Sequence, residues 1–394
     1  MKQFKDNDAF CPLPWTGVYI DPDGNVDNCC ISQNKLGNIN QTPLEKILNS
    51  KKNIEIKSEM LSGKRVDGCR ACYPASAMTN NEDQNVLDTS QRMRHIERFE
   101  RLNSDVTIYN DPNNIELQYL DLRFRNTCNY ACVYCGPRLS SLWATELNII
   151  PSIHRDVLSD TLDYILENIK TVNSIYLAGG EPLLMKENEV ILENLVEINP
   201  DCKLIVNTNL SITKNNRIFD LIQQFKNVQW IISVDDIEER YEYIRYPGKW
   251  DNFLSNLLDL KKNKPPGHSI VFNMVYCALN AKTIFSAIDH LSSFGFAKYN
   301  FVINYTHGGF NYGLPLDPRQ LPKKYLQEVI EVLKNQSGTG WPGTKTRLQL
   351  IEDCINLGLP NDDPELLFNC LADFDQRRGT DSKKVFPDIY AARQ

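Results

Sequence analysis

No apolar run in this chain approaches the length that crosses a bilayer, so no membrane partner is expected. The first residues, Met1-Lys-Gln-Phe-Lys-Asp-Asn-Asp8, lack the apolar stretch of a secretory signal, and a cytoplasmic protein is expected. Basic residues are in deficit. Lys and Arg number 43 against 50 Asp and Glu, a formal net charge of -7 that argues against a surface built to track nucleic-acid phosphates. The five histidines cluster with neither acids nor cysteines, so no site is assigned to them. No repeat or low-complexity tract stands out. Hydrophobic residues at 42% and charged residues at 24% describe an ordinary globular chain, and 394 residues suffice for two or three domains.

What the chain has in excess is cysteine. There are 12, in a long chain without a signal, and most lie in tight groups, which favours metal ligation over disulfides. The groups are Cys11 with Cys29 and Cys30, then Cys69 and Cys72, then Cys128, Cys132 and Cys135; Cys202, Cys277, Cys354 and Cys370 are isolated.

Residues 1–85 carry short apolar runs and turns such as Asp21-Pro-Asp-Gly24, which read as a small domain with a weak core organised around metal. A polar segment, 86–114, reads as a linker with a helix near Gln91–Leu102. From Ile115 to about residue 306, β-branched runs alternate with amphipathic stretches. Strands are predicted at Ile115–Arg123, Ser174–Ala178, Lys203–Asn207, Gln229–Val234, Ser269–Val275 and Tyr299–Ile303. Helices are predicted at Val157–Ile169, Glu189–Glu197, Asn215–Phe225, Asp251–Lys262 and Ala281–Phe294. That alternation implies an α/β domain with a parallel sheet, open or closed into a partial barrel. Residues 307–394 read as an extension with helices at Lys323–Lys334 and Arg347–Leu357.

The first of these strands runs directly into Cys128-Asn-Tyr-Ala-Cys132-Val-Tyr134-Cys135, placing three thiols at the C-terminal end of a parallel strand, where such sheets put their chemistry. Three thiolates can hold three irons of a [4Fe-4S] cube and leave the fourth open. Buried core cysteines and a zinc site are the competing readings. Zinc would want a fourth nearby ligand, and the flanking residues are polar.

The spacing Cys128-X3-Cys132-X2-Cys135, with Tyr134 before the last cysteine, resembles the signature of radical S-adenosylmethionine (SAM) enzymes. The resemblance implies a partial (β/α)6 barrel of TIM type and a cluster whose open iron chelates the amine and carboxylate of SAM. It also implies an external one-electron donor and a 5′-deoxyadenosyl radical that abstracts a hydrogen atom from substrate. Tyr134 matches the residue that lies against the SAM adenine. Gly179-Gly180-Glu181-Pro182, at the end of the next strand and about 45 residues on, resembles the motif that binds the methionyl amine. Asn207 and Asn209 resemble the third strand end, and Ser233 and Asp235 the fourth, where a polar residue reaches the ribose or methionine part of SAM. Arg245 is a candidate partner of the SAM carboxylate.

The N-terminal cysteines resemble the SPASM or twitch auxiliary-cluster module: Cys11, a glycine (Gly24) before Cys29, then Cys69-X2-Cys72. A hairpin turn at Pro22–Gly24 would bring Cys11 and Cys29 together. In the best-known members the module follows the core; here it precedes it, and it is expected to cover the open face of the barrel. Zinc is the alternative occupant. Cys30 is the alternative to Cys29, and is otherwise expected to be a small buried residue.

Cys370 is weighed as a hydrogen-atom donor against the commoner role of an inert core thiol, and His307-Gly-Gly-Phe310 as a cavity wall. The function expected is SAM cleavage followed by oxidation, cross-linking or other modification of a peptide or protein. The alternatives are oxidation or rearrangement of a sugar or nucleotide derivative, and a non-catalytic metal-binding scaffold.

Overall fold

The computed structural model describes residues 7–73, 91–101, 106–149, 155–305, 313–336 and 365–393, together with Gln349, Glu352 and Asp363. The sequence features at His307–Phe310, Cys354 and most of Arg347–Leu357 lie outside the described residues. The chain divides into two compact units. One comprises Met1–Asn126, Pro151–Val206 and Arg217–Val228; the other comprises Thr127–Ile150, Asn207–Asn216 and Gln229–Gln394.

The described strands are β1 (Gly17–Ile20), β2 (Asn25–Asp27), β3 (Gly37–Asn38), β4 (Tyr119–Leu122), β5 (Ser174–Leu177), β6 (Lys203–Thr208), β7 (Asn227–Ser233), β8 (His268–Tyr276) and β9 (Phe301–Tyr305). The described α-helices of six or more residues are α1 (Lys51–Leu61), α2 (Gln91–Arg101), α3 (Ser141–Glu146), α4 (Arg155–Glu167), α5 (Lys186–Ile198), α6 (Arg217–Ile222), α7 (Glu238–Ile244), α8 (Trp250–Asn263), α9 (Ile284–Ser293), α10 (Lys323–Gln336) and α11 (Glu365–Arg378). All six predicted strands are present as β4 to β9. The first is trimmed to its fully buried centre, and the last begins two residues late, after a 3-10 turn at Lys298–Asn300.

In the first unit the strand order is β3-β2-β1-β4-β5-β6. β4, β5 and β6 pair in parallel, in register Leu120↔Ile175 and Ile175↔Leu204. Leu120, Leu122, Ile175, Leu177, Leu204 and Val206 are fully buried, as period-2 alternation demands of a face covered by helices.

The N-terminal segment departs from expectation. Its core is not weak: β1 pairs in parallel with β4, Val18 opposite Leu120, and so extends the same sheet. Its core is aromatic and dense. Phe10, Trp15 and Tyr109 pack ring edge to ring face, with the centroids of Phe10 and Trp15 at 5.4 and 5.8 Å from that of Tyr109. The Trp15 indole N–H donates to the Asp111 carbonyl at 2.9 Å, and the buried Lys57 ammonium donates to the Asn114 carbonyl at 2.8 Å. The segment read as a linker is thereby tied into the unit. A few large rings supply burial that a count of apolar residues understates.

Helix α2 buries His95 against the Tyr119 ring, with centroids 4.7 Å apart. Burial, helped by the charges of Arg98 and Arg94, lowers the His95 pKa to about 3. The unfolded chain therefore binds a proton through the window from the usual histidine value near ~6.5 down to about 3 that the folded chain refuses, and stability falls as pH drops through it. A His95→Gln variant is expected to lose less melting temperature than the parent between about pH 7 and about pH 5, read by calorimetry. Equal slopes would show that His95 is not an acid-labile element.

In the second unit the order is β7-β8-β9, with β8 and β9 parallel. Phe272 and Phe301, opposite each other in that register, stack at 4.5 Å. Helix α11 was not anticipated. Its Arg378, with the side chain 2% exposed, pairs with Glu146 of α3 at 3.0 Å and sits over the rings of Trp143 and Phe374.

Candidate functional site

In the second unit, the three cysteines Cys128, Cys132 and Cys135 occupy an irregular loop held by backbone hydrogen bonds. The Ala131 and Val133 N–H groups donate to the carbonyls of Tyr246 and Ile244 at 2.6 and 2.8 Å, and Cys135 N–H donates to the Cys132 carbonyl at 2.9 Å. Ser141, at the start of α3, accepts from Cys128 N–H at 3.0 Å and returns its hydroxyl to the Cys128 carbonyl at 3.1 Å. The Trp143 indole donates to the Cys132 carbonyl at 2.8 Å. The loop is thus pre-shaped by its backbone, leaving the thiols free of disulfides. Burial pushes the Cys132 thiol up, and raises Cys135 to about 12. Soft metal ions take such sulfurs by displacing the proton.

Beside the loop lies a buried polar knot. The Tyr134 hydroxyl donates to Asp235 Oδ2 at 2.7 Å and accepts from Arg245 Nη2 at 2.6 Å. Arg245 Nε lies 2.8 Å from Asp235 Oδ2, an ion pair with side chains 5% and 0% exposed. Burial works against the Arg245 charge, but the Asp235 carboxylate overrides it and holds its pKa well above the usual value. Arg245 Nη1 also approaches Cys132 Sγ at 3.8 Å. Asp235 Oδ1 accepts the Val275 N–H at 2.7 Å. Both oxygens of Asp235 are therefore engaged within the protein. In the protein the carboxylate fixes Arg245 and Tyr134, as a fully buried carboxylate must be satisfied where it stands.

The other expected residues divide between the units. In the second, Ser233 donates to Asn207 at 3.3 Å, and Asn209 donates to Asn129 of the cysteine loop at 3.0 Å. Cys370 is half-buried on α11, its thiol pushed up to about 11 mainly by burial. In the first unit, Gly179 has φ +107, and a Cβ there would meet Arg123 Cβ and the Arg125 carbonyl at 3.1 Å. Glycine is required at that point by both conformation and space. Gly180 N–H donates to the Arg125 carbonyl at 3.3 Å. The buried Glu181 accepts from Leu183 N–H at 3.2 Å, capping the turn that begins at Pro182.

The first unit also holds the N-terminal cysteines. β1 and β2 form the expected hairpin, Ile20 opposite Val26. Cys69 and Cys72 share the 3-10 turn Asp67–Cys72. Cys11, Cys29, Cys69 and Cys72 together line one pocket with about 370 Å³ of empty volume, part of it open to solvent, and all four are free thiols. Burial raises Cys69 to about 11, and pushes the Cys11 and Cys29 thiols up as well. Asn34 Nδ2 donates to Cys69 Sγ at 3.4 Å. A Cβ on Gly68 would lie 2.0 Å from the Asn34 side-chain oxygen, so only glycine permits that approach. Among the described residues no three His, Cys, Asp or Glu side chains converge on a point for a single ion. The donor set, four soft thiols around one volume, fits a cluster. Cys29, not Cys30, faces the pocket. Cys30 is exposed rather than buried, its thiol against the Asp121 carboxylate.

Sequence reasoning missed Ser141, Trp143, Asn34 and Arg92, the last of which lines the four-cysteine pocket. Arg92 did leave a signal. It occupies the first position of the stripe Arg92, His95, Ile96, Phe99, all buried at helical spacing on α2.

Residues 122–291 match the Radical SAM superfamily, and residues 11–73 match SPASM, an iron-sulfur cluster-binding domain. The chain carries a radical SAM domain and a SPASM domain, which imply a SAM-bound [4Fe-4S] cluster and an auxiliary iron–sulfur cluster. Among curated proteins it is similar to the GTP 3′,8-cyclase of Nautilia profundicola, 30% identical over 94 residues, covering 24% of this chain and 28% of that one. It is also similar to the S-adenosylmethionine-dependent nucleotide dehydratase of Selenomonas ruminantium, 26% identical over 208 residues, covering 49% of this chain and 68% of that one. The chain thus spans under a third of the Nautilia cyclase's length and about two thirds of the dehydratase's. Among solved structures, Streptococcus suis SuiB bound to S-adenosylmethionine aligns with a TM-score of 0.38 at 16% identity, covering 75% of this chain and 61% of that one. No helix of the described residues is long and apolar enough to cross a membrane.

Proposed function

We propose that this enzyme abstracts a hydrogen atom from a peptide or protein and oxidises, cross-links or otherwise modifies it. In this reading Cys128, Cys132 and Cys135 hold the cluster that binds SAM, with Tyr134 and Arg245 beside them. Cys11, Cys29, Cys69 and Cys72 hold the auxiliary cluster. The observation that carries the reading is the four-thiol pocket inside the SPASM match. A substrate that has given up a hydrogen atom is a radical. To finish as a stable two-electron oxidation product it must release one further electron and a proton, and a second redox centre within the enzyme can take that electron. The SAM site needs an electron from an external one-electron donor to start each cycle.

Oxidation or rearrangement of a nucleotide is the second reading, favoured by the activities named for the cyclase and dehydratase relatives. The two separate in one experiment. The reconstituted, reduced enzyme with SAM is offered either a library of short peptides or a panel of nucleoside triphosphates, and 5′-deoxyadenosine and substrate masses are followed. Peptide-dependent 5′-deoxyadenosine with peptides about two mass units lighter supports peptide oxidation. Turnover of a nucleotide with inert peptides overturns it.

A further inference from the structure

We propose that Arg92 of helix α2 is the cationic hydrogen-bond donor to the auxiliary cluster and holds its reduction potential up. This rests on the reading of the four-cysteine pocket as the auxiliary-cluster site. Arg92 lies beyond the SPASM match, which ends at residue 73, yet it lines the pocket with Cys11, Cys29, Cys69 and Cys72. It is only 6% exposed. Its guanidinium is anchored on one side, Nη1 donating to the carbonyls of Asn7 at 3.3 Å and Phe10 at 3.2 Å, immediately before Cys11. Its Nε is buried and has no hydrogen-bond partner, and among the described residues no carboxylate pairs with it. A buried guanidinium N–H without a partner marks a missing acceptor, and a pocket of four thiols supplies the place for one.

The consequence follows from charge. A cluster with four thiolates is anionic in both oxidation states and more so when reduced. A fixed cation and N–H donors to its sulfurs therefore favour the reduced form and raise the potential. Asn34, donating to Cys69 Sγ at 3.4 Å, acts in the same sense.

The test is an anaerobic redox titration followed by electron paramagnetic resonance. It is made in the full chain with Cys128, Cys132 and Cys135 replaced by alanine, so that one cluster contributes the signal. Arg92→Gln is expected to keep its iron and shift the midpoint to more negative potential, and Arg92→Lys, which keeps the charge but loses the Nε–H, to shift it less. A wild-type midpoint in Arg92→Gln at full iron overturns the proposal. Should Arg92→Gln lose iron, Arg92→Lys decides: a negative shift at full iron supports the role, and an unchanged midpoint overturns it. If the signal survives Cys69→Ala with Cys72→Ala, the cluster lies elsewhere, and the pocket reading fails before the role of Arg92 is reached.

Discussion

Replacing Cys128, Cys132 and Cys135 together by alanine is expected to abolish 5′-deoxyadenosine formation and to lower bound iron by about four per chain. Both effects should be complete because three thiolates leave the cube one open iron for SAM, and no other described cysteine shares their loop. The fold should survive. The loop is shaped by backbone hydrogen bonds to Ile244 and Tyr246, by Ser141 and by the Trp143 indole, none of which uses a thiol. Circular dichroism of the variant should therefore match the parent while chromatography of the reaction finds no 5′-deoxyadenosine above background. A folded variant that still cleaves SAM would place the cluster on other ligands. A parent that loads iron fully, binds SAM and yet never cleaves it, with any substrate offered, would favour a metal-binding scaffold.

The sequence carried most of the core because its signals there are local. Strands β6 to β8 alternate between buried and more exposed positions, and that period is visible in any window of six residues. The triplet and Gly179–Pro182 are contiguous and sit at strand ends, so their place could be read before any contact was known. What the sequence hid depends on partners far along the chain. Asp235 reads only as a polar strand end. Its contacts with Tyr134, about 100 residues earlier, and with Arg245 and Val275 could not be read from the sequence. Helix α11 hid for the same reason: Arg378 and Phe374 acquire meaning from Glu146 and Trp143.

The N-terminal region shows the opposite error. Two cysteine pairs and few apolar residues suggested a module with a weak core organised around metal. Phe10, Trp15 and Tyr109 instead form a fully buried aromatic cluster, and β1 continues the sheet through β4. Folding of this region is therefore expected to be separable from cluster binding.

That separability underlies the second large effect. Cys69→Ala with Cys72→Ala is expected to remove about four irons per chain while 5′-deoxyadenosine formation at the triplet persists. Both cysteines lie on a short 3-10 turn at the rim of the pocket, neither is fully buried, and neither belongs to the aromatic cluster. Their loss should leave β1 paired with β4. Substrate oxidation is a different matter: the radical formed by hydrogen abstraction would lose its internal electron acceptor, so SAM cleavage should become uncoupled from product. Iron and zinc are measured in parallel with 5′-deoxyadenosine. A fall in iron with persistent SAM cleavage identifies the four-thiol pocket as the auxiliary-cluster site. A fall in zinc with iron unchanged would make the pocket a tetrahedral structural site instead, and the electron for product formation would then have to leave the enzyme by another route.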